Sequence, residues 1–189
     1  MNYTVENEQV VFDDHYQMLK AKVTYDTFKG SEISTNRLAF YRGDSVAILL
    51  YEAESDSVLL TKQFRYPTTK HQQGWMLEIP AGSMEKEECP LTCIKRETLE
   101  EMGYQLHQPQ QIYSFYPSPG ACTEKTYLFY AEVSEKDKVA KGDGNPSENE
   151  DIKMVKLPVS EIENWLSEKI IDAKTIVGLQ WFLFQKKRS

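Results

Sequence analysis

The chain has 189 residues, of which 40% are hydrophobic and 27% are charged, a balance typical of a globular protein with one domain and a small appendage. Its 22 basic and 29 acidic residues give a net charge of −7, which disfavours duplex DNA as a partner, because affinity for that polyanion comes largely from Lys and Arg. A small phosphorylated ligand stays compatible with this charge, since a metal ion can invert the local charge.

The sequence favours a reducing, cytoplasmic location. No apolar run approaches the ~20 residues that span a bilayer, and the opening MNYTVENEQV lacks the pattern of a secretory signal. The three cysteines, Cys89, Cys93 and Cys122, form no disulfide framework, and the cysteines and histidines show no zinc-ligand spacing.

The first third of the chain is predicted to consist of β-strands. Five segments rich in Val, Leu, Tyr, Phe and Thr are separated by polar or glycine-containing breaks, as is typical of strands. They cover residues 10–12, 18–28, 37–41, 45–53 and 57–66. The last two are expected to pair as a hairpin.

A helix is predicted over residues 90–102, because Pro90 suits a first helical turn and Gly103 supplies a left-handed stop. Three further strands are predicted at 111–116, 125–133 and 151–157.

The C-terminal segment is predicted to be helical. Ser160 and Glu163 form a capping-box pattern ahead of one helix, and a second helix begins near Ala173 and ends in basic residues. The fold class is therefore α+β, and we place the boundary between appendage and main domain near Gly43.

Three carboxylates lie within one turn of the predicted helix at 90–102. At ~100° per residue, Glu97, Glu100 and Glu101 form a stripe beside an apolar stripe. Like charges at this spacing repel, and a helix C-terminus disfavours anions. A divalent cation such as Mg²⁺ or Mn²⁺ would reverse both effects, whereas the commoner alternative for an arbitrary acidic pair is a solvated face.

The spacing around this helix resembles the Nudix box. Gly82, five residues, Glu88, seven residues and then the run from Arg96 to Tyr104 occupy every fixed position of G-x5-E-x7-R-E-U-x-E-E-x-G-U. Thr98 and Tyr104 depart mildly, standing where aliphatic residues are common. The resemblance implies an α/β/α sandwich around a mixed sheet, formed by residues 44–189. A small antiparallel sheet in residues 1–43 would be appended to it.

The same resemblance implies the metal ligands. Glu97 and Glu101 would be the principal ligands of Mg²⁺, which Mn²⁺ could replace, and Glu100 would be a further ligand or a supporting group. The backbone carbonyl of Ala81 would complete the coordination. Arg96 would pair with the carboxylates and orient them, and Glu88 would anchor the turn into the helix.

Further segments are similar to the ADP-ribose pyrophosphatase branch of this family, and the neighbouring GDP-mannose pyrophosphatase branch shares much of them. They are QFRYP, WMLEIPAG, SPGACTE, ENEDI and IIDAKTIVGLQWF. The branch implies Mg²⁺-dependent hydrolysis of ADP-ribose to AMP and ribose 5-phosphate, with GDP-mannose or a broader set of nucleotide sugars as the alternative. A nucleotide-sugar-sensing module without catalysis, or a nucleoside triphosphate or capped-RNA hydrolase, remains a further alternative.

The branch also implies substrate-binding residues, each with a simpler structural alternative. Arg65 would clamp a phosphate, with Arg37 and Arg42 as weaker candidates, although surface salt bridges are the competing explanation. Gly120 and Glu124 would lie at the sugar end of the pocket. Tyr16 would stack on the base in a homodimer formed through the N-terminal strands, unless it packs between sheets.

A general base is expected in the polar loop 141–150. The position matching the branch is Glu148, and Glu150 is the alternative. Without the resemblance, an exposed loop with no catalytic role is the favoured interpretation.

Overall fold

β-Strands dominate the chain and fall into two compact units. A computed structural model describes residues 1–144 and 150–188. The first unit comprises residues 1–44 together with 116–125, and the second comprises the other described residues.

The first unit is built on a three-stranded antiparallel sheet in the order β1-β2-β3. Its strands are β1 (Tyr3–Asp13), β2 (Gln17–Asp26) and β3 (Glu32–Tyr41). β1 is far longer than the predicted segment 10–12, because its first half contains four consecutive polar residues, from Glu6 to Gln9, and so lacks the apolar pattern of a strand. Every residue of β1 is exposed in the single chain.

The second unit contains a mixed seven-stranded sheet. Its strands are β4 (Ser45–Glu52), β5 (Ser57–Phe64), β6 (Trp75–Glu78), β7 (Ala81–Ser83), β8 (Gln110–Phe115), β9 (Thr126–Val133) and β10 (Lys153–Pro158). The main path runs β10-β5-β4-β9-β8, and β6 and β7 extend from β5 and β4. β4 and β9 are parallel, whereas the other pairs are antiparallel.

Three α-helices complete this unit: α1 (Pro90–Met102), α2 (Ile162–Glu168) and α3 (Ala173–Lys186). Short 3₁₀ turns lie at Tyr66–His71, Glu135–Asp137 and Val159–Glu161. No described helix has the length and apolar character required to cross a membrane.

Helices cover both faces of the sheet, which confirms the α+β class. All eight residues of β4 are buried, because its alternate side chains serve two cores. Val46, Ile48 and Leu50 pack in one core with Ile94 and Met102 of α1. The intervening β4 residues pack in a second core with Leu179 and Phe182 of α3.

One local prediction was wrong, and two short strands were not predicted. The capping box at Ser160 does not form: Ser160 lies in a 3₁₀ turn, and α2 begins at Ile162 after Glu161, whose side chain makes no cap hydrogen bond. A tertiary contact holds this turn, because the Val159 N–H donates to the Asp56 carbonyl at 2.9 Å. The short strands β6 and β7 were missed, since three or four residues give too little alternation to detect.

Candidate active site

Helix α1 turns two of its carboxylates towards the interior. Its last turn ends at Gly103, whose φ of +76° gives the left-handed stop. Glu101 is only 1% exposed, and the Glu97 side chain is 12% exposed, whereas that of Glu100 is 37% exposed. Glu97 and Glu101 therefore form a buried acidic pair, and Glu100 lies at its rim.

The Glu97–Glu101 pair packs against strand β7. The Ala81 N–H donates to Glu101 Oε2 at 3.1 Å. A Cβ placed on Gly82 would lie 1.9 Å from Glu97 Cδ, so the Glu97 carboxylate occupies the space that any side chain at residue 82 would need. Residue 82 must therefore be glycine for Glu97 to keep this position.

Burial makes this pair electrostatically unfavourable on its own. Loss of hydration raises the pKa of Glu97 to about 7, although Arg96 opposes the shift. It raises the pKa of Glu101 well above its ordinary value, and the charges of Glu97 and Glu150 add to that effect. A pair of this kind has a strong preference for a nearby positive charge.

Arg96 ties the loop before α1 to the carboxylates. Its Nε and Nη2 donate to the Glu88 carboxylate at 3.2 and 3.0 Å, and its Nη1 lies 2.9 Å from Glu97 Oε1 and 3.3 Å from Glu100 Oε2. The Arg96 hydrogen bond lowers the pKa of Glu88 to about 2. Glu88 also accepts from the Glu85 N–H at 3.0 Å, so the turn into the helix is fixed from both sides.

A second ion-pair cluster lies where β5, β6 and α3 meet. Arg65 donates from Nε and Nη2 to Glu78 Oε2 at 3.1 and 2.7 Å. Lys174 lies 3.4 Å from Glu78 and 3.0 Å from Asp172. Burial opposes the charged form of Arg65, but hydrogen bonding to Glu78 raises its pKa, and the charge of Glu101 contributes to the shift. The positive end of this cluster therefore acts on Glu101.

Sequence reasoning missed Glu78 and Lys174. Each carried a signal, because Glu78 interrupts an apolar stretch between Leu77 and Ile79, and Lys174 stands in the first turn of the apolar helix α3. Their partnership depends on tertiary contacts between separate elements, which the sequence pattern does not display.

Several predicted substrate-binding residues belong to the first unit, where three of them meet. The Arg42 guanidinium lies 5.4 Å from the centre of the Tyr16 ring and 3.7 Å from Glu124 Oε2. Backbone hydrogen bonds join Phe40 to the loop that carries Gly120, with Phe40 N donating to the Ala121 carbonyl at 2.8 Å. Arg37 donates to Thr35 and to the Asn36 carbonyl.

The two candidate bases differ in what the structure describes. Glu148 lies outside the described residues. Glu150 is half-buried, and its charge acts on both Glu97 and Glu101. The charge of Glu150 therefore belongs to the surroundings of the acidic pair.

The donor set fits a hard divalent cation. Carboxylate oxygens are the ligands that such cations prefer, and a cation would relieve the desolvation and repulsion of Glu97 and Glu101. Across residues 1–144 and 150–188, no cluster of three or more His, Cys, Asp or Glu side chains forms a ready-made metal cage. The buried pair would therefore supply the core of the site, and substrate, water or loop groups would supply the remaining ligands.

Comparison with known proteins agrees with this arrangement. The family model for the NUDIX domain matches residues 41–176. GDP-mannose pyrophosphatase of Cronobacter sakazakii is 35% identical over 175 residues, 90% of each chain. Proteins of the same name from Salmonella arizonae and Shigella flexneri are 32% and 33% identical, each over at least 93% of both chains.

The chain therefore belongs to the Nudix family and is a pyrophosphohydrolase that acts on phosphorus-containing anhydrides. Members of this family generally use divalent metal ions, which is consistent with the donor set described above.

Proposed function

We propose that this protein hydrolyses the diphosphate bond of a nucleoside diphosphate sugar in a Mg²⁺-dependent reaction, with GDP-mannose as the leading substrate. The observation that carries the proposal is the buried pair Glu97–Glu101 against β7. The names of the relatives favour GDP-mannose over ADP-ribose, the substrate favoured by the sequence segments alone. ADP-ribose is therefore retained as the second candidate for the same chemistry.

The reaction adds water to one phosphorus of the bridge and breaks the bond from that phosphorus to the bridging oxygen. GDP-mannose would give GMP and mannose 1-phosphate. A bound Mg²⁺ would supply positive charge to the site and would lower the pKa of a water molecule. Without such charge, the acidic pair would repel the substrate phosphates.

Separate residues would bind the cation and the substrate phosphate. Glu97 and Glu101 would hold the cation, with Glu100 and the Ala81 carbonyl as further ligands, and Arg96 would orient Glu97. Arg65 would bind a phosphate oxygen, because its side chain remains 38% exposed while Glu78 holds it.

A carboxylate of the loop before β10 would accept the proton of the attacking water. We assign this role to Glu150 or Glu148. Glu150 is supported by its charge, which acts on both members of the acidic pair.

We further propose that Tyr16, Glu124 and Gly120 bind the nucleotide and sugar, with Arg37 as a more distant contributor. A flat tyrosine ring can stack on either purine base, guanine or adenine. Residues 1–43 would serve as the dimerisation region and as part of the pocket. We also propose a cytoplasmic location, with which the three free cysteines among the described residues agree.

A panel of substrates tests the proposal. Purified protein is incubated with Mg²⁺ and GDP-mannose, ADP-ribose, ADP-glucose or UDP-glucose, and the products are separated by chromatography, with EDTA as the control. We expect GMP and mannose 1-phosphate to form fastest and no product to form with EDTA. Faster cleavage of ADP-ribose would overturn the leading substrate but not the chemistry. Tight binding of a nucleotide sugar without any product would instead indicate a sensing module.

A further inference from the structure

Residues 139–144, which follow β9, lie along the C-terminal end of α1. The Val139 and Ala140 N–H groups donate to the Gly103 carbonyl at 2.8 and 3.1 Å, and the Gly144 N–H donates to the Glu100 carbonyl at 3.3 Å. The last carbonyls of a helix have no partners within the helix. Here the loop supplies them, so its backbone is registered on the turn that carries Glu100 and Glu101.

Glycines make this approach possible. A Cβ on Gly142 would lie 2.1 Å from the Met102 carbonyl carbon and 2.3 Å from Gly103 N, and a Cβ on Gly103 would lie 2.2 Å from the Ala140 oxygen. Each contact is with backbone, which cannot move aside as a side chain can. Both glycines have positive φ values, so their conformation and their lack of a side chain are required together.

A third glycine joins this contact to the candidate base. Gly144, at φ +87°, leaves room for Glu150: a Cβ there would lie 2.8 Å from Glu150 Cβ and 3.0 Å from Glu150 Oε2. The returning chain is held at the same point, because the Ile152 N–H donates to the Asp143 carbonyl at 3.4 Å and the Ile152 side chain is buried. We call Gly103, Gly142 and Gly144 the glycine clasp.

We infer that the glycine clasp is a positioning device that fixes Glu150 beside the Glu97–Glu101 pair by joining the loop backbone to the last turn of α1. The inference rests on the proposed function, since it takes the pair to be a cation site. The glycines are positioning residues that act through Glu150. The clasp also explains why a loop can place a carboxylate reproducibly beside a helix.

The test is a double-mutant cycle on Gly144 and Glu150. Wild type, Gly144→Ala, Glu150→Gln and the double variant are titrated with Mg²⁺ alone in a calorimeter. Moving the negative charge of Glu150 away from the acidic pair should weaken the attraction for Mg²⁺, and we expect a loss of affinity of about tenfold for Gly144→Ala. In the Glu150→Gln background the same substitution should have no further effect, because the residue through which it acts is gone.

Gly30→Ala is the matched control. Gly30 has a φ of +75° and nothing within 4 Å of a built Cβ, so alanine there has the backbone cost of a left-handed residue without the close contact. It should lower the thermal unfolding midpoint as Gly144→Ala does, while the Mg²⁺ affinity stays within about twofold of wild type. Gly142→Ala is not used, because its added methyl would collide with backbone atoms and could prevent folding. The added methyl of Gly144→Ala would meet the side chain of Glu150.

Two results would overturn the inference: unchanged Mg²⁺ affinity in folded Gly144→Ala, or effects of the two substitutions that multiply in the double variant. In the hydrolysis assay we expect Gly144→Ala to lower kcat with KM nearly unchanged. The titration requires no nucleotide. If wild type bound Mg²⁺ but cleaved no nucleotide sugar, the proposed function would fail, and the cycle would still decide whether the clasp acts through Glu150.

Discussion

At the scale of single residues, the structure explains both departures from the Nudix box. Thr98 is fully buried and its hydroxyl donates to the Ile94 carbonyl at 2.7 Å, so a polar group is tolerated where an aliphatic is common. Tyr104 is fully buried as well, and its hydroxyl donates to Glu52 Oε1 at 3.0 Å. The Tyr104 hydroxyl thus donates to the buried carboxylate of Glu52. An aliphatic residue at position 104 would leave Glu52 with one hydrogen-bond donor fewer.

Replacement of Tyr104 by Phe should destabilise the protein. Glu52 would keep Lys156 and Ser55 as partners but would lose a buried donor, and such a loss costs about 1–3 kcal/mol of unfolding free energy. Urea denaturation measures the change, with Tyr113→Phe at an exposed tyrosine as the control. If Tyr104→Phe were as stable as wild type, this account of the departure from the motif would fail.

Replacement of Gly82 by Ala should disable the cation site. The added methyl would lie 1.9 Å from Glu97 Cδ, so the carboxylate must leave its place. We expect Mg²⁺ affinity to fall at least about tenfold in a protein that remains folded by circular dichroism. Affinity equal to that of wild type would show that Glu97 is not required where the structure puts it.

At the scale of elements, helix α1 could be predicted with its ends, whereas the ion pairs between elements could not. Pro90 and Gly103 mark the termini of α1, and a period of 3.6 residues places Glu97 and Glu101 on one side. The partnership of Glu78 with Arg65 and Lys174 depends on how β5, β6 and α3 meet. No local sequence pattern shows which separate elements pack together. The capping box predicted at Ser160 failed for the same reason, because a tertiary contact to Asp56 holds that turn.

The packing of α1 on β7 predicts a pH dependence of stability in the absence of metal. Burial raises the pKa of Glu97 from 4.5 to about 7, so the folded state binds a proton that the unfolded state releases. The stabilisation is fully present below pH 4.5 and is lost as the pH rises through about 7. For Glu97 the difference is about 3 kcal/mol, and Glu101 adds in the same direction.

Urea unfolding in EDTA at pH 5 and pH 8 measures this dependence. Wild type should lose stability between the two values, Glu97→Gln should lose less, and saturating Mg²⁺ should restore stability at pH 8. Equal pH dependence in wild type and Glu97→Gln would show that burial of this carboxylate has no energetic consequence.

At the scale of the whole molecule, the N-terminal sheet exposes several large apolar side chains in the single chain. In β1 every residue is exposed, and its apolar members include Tyr3, Val5, Val10, Val11 and Phe12. Exposed apolar side chains on one element are typical of a surface that contacts a partner. A second copy of the chain is the partner that we propose.

Light scattering after size-exclusion chromatography tests the homodimer. We expect twice the chain mass for wild type and the chain mass for the double variant Val5→Asp, Phe12→Asp, because charges in an apolar interface are costly to bury. Phe184→Asp, at an exposed phenylalanine of α3, should remain dimeric. A wild type that is monomeric at micromolar concentration would rule the proposal out.

The most direct measurement of the whole account is a calorimetric titration of Mg²⁺ into wild type and Glu101→Gln, with GDP-mannose hydrolysis followed in the same preparations. Glutamine keeps the shape of the side chain and removes its charge, so folding should be preserved. The account predicts that Glu101→Gln loses both Mg²⁺ binding and hydrolysis by at least about a hundredfold. Binding and hydrolysis equal to those of wild type would contradict it.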